Sequence, residues 1–189
     1  MSRVLLGVFI SLCFLSKQAN SQSYGLSEEQ TVTVTGTSTL HDWKVTVSDV
    51  DGFPTQLDLS QPISEFTFSA AVNSMDGGRG ASMNGKIQKA LKSDIHPNIT
   101  FSQSGESSPS KTNGNEIAIS IDGQLFIAGN EKNITLSIEG IIENDKLILS
   151  GSYPLTMSEF EIDPPSAMFG QIQTNDEVEV QFEVIFLKQ

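Results

Sequence analysis

Cysteine occurs once in this sequence, at Cys13, and histidine only twice, at His41 and His96. A chain with one cysteine forms no internal disulfide. Neither histidine has a second ligand at a spacing such as HExxH, so the sequence offers no zinc-type site. Cations are scarce as well: 11 Lys+Arg stand against 23 Asp+Glu, a net charge of −12. Without a basic patch to neutralise phosphates, nucleic acid is excluded as a partner. The same balance works against adhesion to an anionic membrane surface, and it favours solubility. Long apolar runs are missing but for residues 4–15, too short to span a bilayer as a helix, so no stable membrane insertion is expected. No GxSxG elbow is present, and no glycine loop of phosphate-binding type stands between a strand and a helix. Gly77-Gly78-Arg79-Gly80 reads as a flexible turn before a helix, with Arg79 either solvated or placed to meet an anionic head group.

The first residues have the three parts of a secretory signal. Arg3 supplies the positive start, residues 4–15 the apolar stretch, and Ala19-Asn20-Ser21 a small-x-small cleavage site before Gln22. Residues 1–21 are therefore read as a signal peptide and residues 22–189 as one domain. Leu12 and Phe14 around Cys13 do not fit a lipoprotein signal, so Cys13 belongs to the discarded peptide. Cleavage leaves 9 cations against 23 acids, a net −14, and no cysteine. The expected fate is export through this N-terminal signal.

What the rest of the chain has in quantity is alternation. Val32 and Val34; Trp43, Val45 and Val47; Phe66, Phe68, Ala70 and Val72; Ile99 and Phe101; Ile117, Ile119 and Ile121; Ile134, Leu136 and Ile138; and Val178 to Phe186 each recur every second residue between polar ones. Period two places apolar side chains on one sheet face and polar ones on the other, the habit of antiparallel sheets. Turn signals separate the runs at Asp51-Gly52, Gly77-Gly78, Asn113-Gly114, Asp122-Gly123, Gly129-Asn130, Glu143-Asn144-Asp145 and Asp163-Pro164-Pro165. Many strands and short turns, with no linker or solenoid repeat, predict one all-β sandwich or barrel. One segment departs from this. Met83, Ile87, Ala90 and Leu91 make a single stripe on a short helix over residues 82–92, with Ser82 or Asn84 as its cap and His96-Pro97 beyond its end. A lone helix in an all-β chain is placed to close one end, its stripe filling core space or touching a ligand.

Three blocks carry a resemblance. They are Gly36-Thr37-Ser38-Thr39-Leu40-His41-Asp42-Trp43; then Ser82-Met83-Asn84, Lys89-Ala90-Leu91-Lys92 and Pro97-Asn98-Ile99-Thr100-Phe101; then Gly123, Leu125, Ile127, Gly129, Lys132, Ile134 and Leu136. In order and spacing, over residues 30–186, the chain resembles the YceI-like family of exported, lipocalin-like polyisoprenoid-binding proteins. The resemblance implies an antiparallel β-barrel of about eight strands with one short helix at an end. It also implies an interior that holds a long apolar chain, a lipid of isoprenoid or quinone type, with no other cofactor. The candidate ligand contacts are Trp43, Phe66, Phe68, Met83, Ile87, Leu91, Phe101, Phe126, Met157, Phe160, Phe169 and Phe182. Met168 adds further thioether surface. Each of them is equally at home in a close-packed core.

Two other readings remain open at this level. A solid barrel could act as a structural or protein-interaction module through an acidic face around Glu177, Glu179 and Glu183. An enzyme would rest on His41 and Asp42 alone; the stronger expectation is that His41 bonds to neighbouring backbone and Trp43 anchors the strand entry, so no catalysis is expected. Asn98-Ile99-Thr100 and Asn133-Ile134-Thr135 match the glycosylation pattern but fall in predicted strands. The sequence sets no oligomeric state.

Overall fold

A computed structural model describes residues 23–189; the signal peptide expected over residues 1–21, Cys13 and the expected start at Gln22 lie outside the described residues. The strands are β1 (Ser23–Ser38), β2 (Trp43–Val47), β3 (Val50–Asp51), β4 (Gln56–Asp58), β5 (Thr67–Ala71), β6 (Met75–Asp76), β7 (Asn98–Gln103), β8 (Ser110–Asn113), β9 (Glu116–Ile127), β10 (Asn130–Glu143), β11 (Lys146–Thr156), β12 (Ser166–Ala167) and β13 (Ile172–Lys188), with helix α1 at Ala81–Ala90. They pair in the order β3-β5-β7-β9-β10-β11-β13-β1-β2-β6.

The chain itself joins the two ends of that order. β3 continues β2 across Ser48 and Asp49, and β6 continues β5 across a 3-10 turn at Val72–Ser74. These two bent strands face each other, with Val47 opposite Met75 and Val50 opposite Ala70. At the bend the Ala71 N–H donates to the Asp49 carbonyl at 3.0 Å, and the Asp49 N–H to Ser74 Oγ at 3.0 Å. Counted as single bent strands, they bring the ring to eight members, and the antiparallel barrel expected from the sequence closes. β4, β8 and β12 only extend its edges, which is why thirteen short pieces make eight ring strands.

Alternation sets which face turns inward. Ile117, Ile119, Ile121, Leu125 and Ile127 of β9 are all buried, and Ile121 meets Leu136 and Ile119 meets Ile138 across the β9–β10 ladder. Each such side chain contributes about 1.5–3 kcal/mol on full burial. Glu116, Ser120, Asp122 and Gln124 of the same strand are exposed.

Two local expectations are corrected. Asp122-Gly123 is no turn but lies inside β9, because the glycine makes room for a ring: a Cβ there would stand 2.3 Å from Cζ of Phe101. The turn comes later, at Ala128 and Gly129, whose φ values of 52° and 96° make the two-residue connection from Ile127 to Asn130. Helix α1 is where the sequence places it, but neither Ser82 nor Asn84 caps it. Gly80 precedes its first residue, and the Asn84 side chain instead accepts from the Gly77 N–H at 3.0 Å and donates to Asp76 at 3.2 Å. Asn84 therefore ties the helix back to β6.

Candidate functional site: an apolar two-chamber interior

The barrel is hollow. An inner chamber of about 80 Å³ is walled by inward side chains of the strands, among them Val32, Val34, Phe53, Phe66, Phe68 and Phe182. An outer chamber of about 130 Å³ lies towards the helix end, between Trp43, Met157 and Ile162 and the α1 residues Met83, Ile87, Ala90 and Leu91. Val34, Met75, Ile99, Ile127, Leu155 and Val180 belong to both walls, so the chambers lie end to end along the barrel.

The cavity leaves a mark on burial. Val34, Phe68, Ile99, Val180 and Phe182 sit at inward positions of their strands yet are only half-buried. They border the empty space, whereas Phe101, Ile121 and Phe186, on equally inward positions, are fully buried in the surrounding core. The walls carry almost no charge. Lys86 is the one charged residue bordering either chamber among the described residues, and its Nζ donates to the Ser166 carbonyl at 3.0 Å. Tyr153 borders the inner chamber; burial raises its phenol above the ordinary tyrosine range and nearby Glu159 adds to the shift, so the hydroxyl stays neutral there. A wall of this kind offers dispersion and water exclusion, with Lys86 and Tyr153 as the ionisable side chains that border it among the described residues.

The twelve residues singled out in the sequence divide by position. Trp43, Phe66, Phe68, Met83, Ile87, Leu91, Met157 and Phe182 line a chamber. The Trp43 ring covers Gly36, and its Nε1 donates to the Thr37 carbonyl at 3.0 Å, which anchors the strand entry. Four others line neither chamber. Phe101 is inward but packed behind the wall, stacked on Phe68 at 6.1 Å and edge-on to Phe66 at 6.4 Å. Phe126 falls between inward Leu125 and Ile127, so period two turns it out, against the His96 ring at 5.5 Å. Phe160 is buried in the core, with Lys132 5.6 Å from its ring centre. Phe169 stands fully in solvent. Phe53, Tyr153, Val34, Ile99 and Val180, outside those twelve, also line a chamber: period two in the sequence already marks Val34, Ile99, Tyr153 and Val180 as inward, whereas Phe53 lies outside any strand and carries no such signal.

His41 is occupied structurally. Its Nδ1 donates to the Asp42 carbonyl at 2.8 Å, and its own carbonyl accepts from the Ser38 N–H and Ser38 Oγ. Among the described residues no group of three His, Cys, Asp or Glu side chains could hold a metal, and no helix is long and apolar enough to cross a membrane.

Fold and site together define the class: a hollow eight-stranded antiparallel barrel with an apolar interior and a helix across one end. Within that class the sequence profile of the YceI-like domain matches residues 18–186, and the chain belongs to the YceI-like family. No curated protein matches the chain by sequence. Among solved structures it is similar to a polyisoprenoid binding domain from Saccharophagus degradans implicated in plant cell wall breakdown, at 10% identity and a TM-score of 0.65 over 89% of this chain and 99% of that one. It is also similar to BcnA of Burkholderia cenocepacia, at 16% identity and a TM-score of 0.64 over 82% and 95% of the two chains. A Campylobacter jejuni YCEI protein matches at 15% identity and a TM-score of 0.54 over 100% and 99%. At these identities the likeness is one of fold.

Proposed function

We propose that this protein is an exported, periplasmic lipid-binding protein that holds one long apolar chain of isoprenoid type, a polyprenyl lipid or quinone tail, for carriage or storage. The observation that carries this reading is the pair of end-to-end chambers walled by hydrocarbon. A tail laid along them leaves water and contacts Phe66, Phe68 and Phe182 in the inner chamber and Trp43, Met83, Ile87, Leu91 and Met157 in the outer one. Each buried methylene adds about 0.8 kcal/mol, so affinity needs no specific polar contact and tails of similar length compete on nearly equal terms. The polyisoprenoid binding reported for the Saccharophagus degradans domain, which has the same fold, supports the ligand class. The signal-like residues 1–21 support export. Binding rather than catalysis fits the walls, which present no reacting group. A solid interaction module fits less well, since it has no use for a hollow interior.

The test is native mass spectrometry of the protein purified from a bacterial periplasm, followed by lipid extraction. The expected result is an intact mass starting near Gln22 with one isoprenoid lipid bound per chain. No co-purifying lipid and no uptake of added polyprenol or quinone would overturn the ligand reading; retention of residues 1–21 would overturn the export reading.

A further inference from the structure

The exposed apolar side chains of this barrel are not spread evenly. Of the six large ones among the described residues, Leu40, Ile95, Met168 and Phe169 lie in loops at the helix end, where the outer chamber is, and Ile141 and Leu187 lie at the other end. Leu40 and the pair Met168-Phe169 belong to loops tied together: the Thr39 N–H donates to the Gln173 carbonyl at 3.0 Å, and the Gln173 N–H donates to Thr39 Oγ1 at 3.2 Å. Lys86 ties α1 to the same group through the Ser166 carbonyl. Met168 and Phe169 also both have positive φ, 50° and 54°, a conformation that bulky side chains seldom adopt. Phe169 is thus held out in water at a backbone cost that core packing does not offset.

Charge along the α1 side of this end departs from the molecule's average. Residues 77–93, which contain α1, hold Arg79, Lys86, Lys89 and Lys92 and no acid between the flanking Asp76 and Asp94, in a protein with far more acids than cations. Arg79, Lys89 and Lys92 are exposed. Glu159, Glu161 and Asp163 belong to the segment that forms the other wall of the outer chamber.

We propose that the helix end is a docking face for an anionic phospholipid bilayer, with Leu40, Met168 and Phe169 entering the interfacial layer and Arg79, Lys89 and Lys92 meeting head-group phosphates. The acids on the far wall tilt the barrel so that the α1 side is seated deeper. Apolar insertion and local positive charge act together in peripheral membrane binding, and each is weak alone. The geometry brings the outer chamber against the bilayer, the position from which a tail would pass without crossing water. Docking goes beyond lipid carriage and is measured separately from it.

The experiment is co-sedimentation of the mature protein with vesicles of phosphatidylethanolamine and phosphatidylglycerol, and with vesicles of phosphatidylcholine alone. Lipid content of the barrel and thermal melting are followed on the same samples. The expected result is binding to the anionic vesicles that weakens about tenfold in Met168→Ser/Phe169→Ser and again in Lys89→Glu/Lys92→Glu. Ile141→Ser, at the far end, leaves binding unchanged. Met168 and Phe169 line neither chamber, so their variant keeps its bound lipid and its melting temperature. Wild-type protein that stays in the supernatant overturns the proposal, as does equal binding to both vesicle types or unaltered binding by the lip variant. A wild-type dimer in sedimentation velocity that the lip variant loses would assign the lip to a second copy of the chain and also overturn it.

Discussion

Phe68 and Phe101 stack on each other across the β5–β7 ladder, yet one faces a void and the other does not. Phe68→Trp has empty volume to enter, so the melting temperature should hold while bound lipid falls; a loss of about 1–3 kcal/mol would instead indicate a close-packed site. Phe101→Ala removes a fully buried ring and should cost about 3–5 kcal/mol in denaturant unfolding. Tyr153 gives a pH-dependent counterpart. Its phenol is raised in the folded protein, first by burial and then by Glu159. The unfolded chain therefore loses this proton first, from about pH 10 upward. Stability from this group is present below that pH and is lost as pH rises through the raised folded value. Tyr153→Phe should flatten the alkaline decline in a urea-unfolding series.

At the scale of elements, the long strands were legible because their alternation persists: β9, β10 and β13 each place apolar residues inward over nine positions or more. Hairpins were less legible, since a glycine signals both a turn and a close approach. Gly123 and Gly129 stand six residues apart, one under a ring and one in a tight turn. Gly129→Ala should cost about 1–3 kcal/mol, for the positive φ and for a Cβ that would stand 2.7 Å from His96 Nε2. Chemical denaturation measures it, and a neutral result would show that His96 moves aside and the turn relaxes. Helix α1 shows a related division. Its stripe predicted a helix with one apolar face, but not that the face would border a cavity instead of dense core.

For the whole molecule, the barrel's stability and its contents are linked if a lipid occupies the chambers. Ligand at about a hundred times its Kd adds about 2.7 kcal/mol. Protein stripped of lipid should melt lower than the same protein reloaded with polyprenol, and the shift should grow with lipid concentration. Identical melting curves would mean that nothing binds the folded form. Net charge also reads differently at this scale. It described the average surface correctly, but an average over the chain conceals that residues 79–92, in and beside α1, gather four cations at the end carrying the exposed Leu40, Met168 and Phe169.

What the sequence determined alone is the all-β class, the inward face of each long strand, the position of the helix and its apolar stripe. These follow from side-chain periodicity along a local stretch of backbone, which needs no knowledge of distant neighbours. Closure and hollowness were decided by tertiary structure. The ring closes because two bent strands, β2/β3 and β5/β6, find each other across the sheet, and the void exists because inward side chains from opposite walls stop short of meeting. Both depend on distances between residues far apart in the chain. That is why Phe68 and Phe101, both inward by period two, lie one on the cavity wall and one in the core behind it.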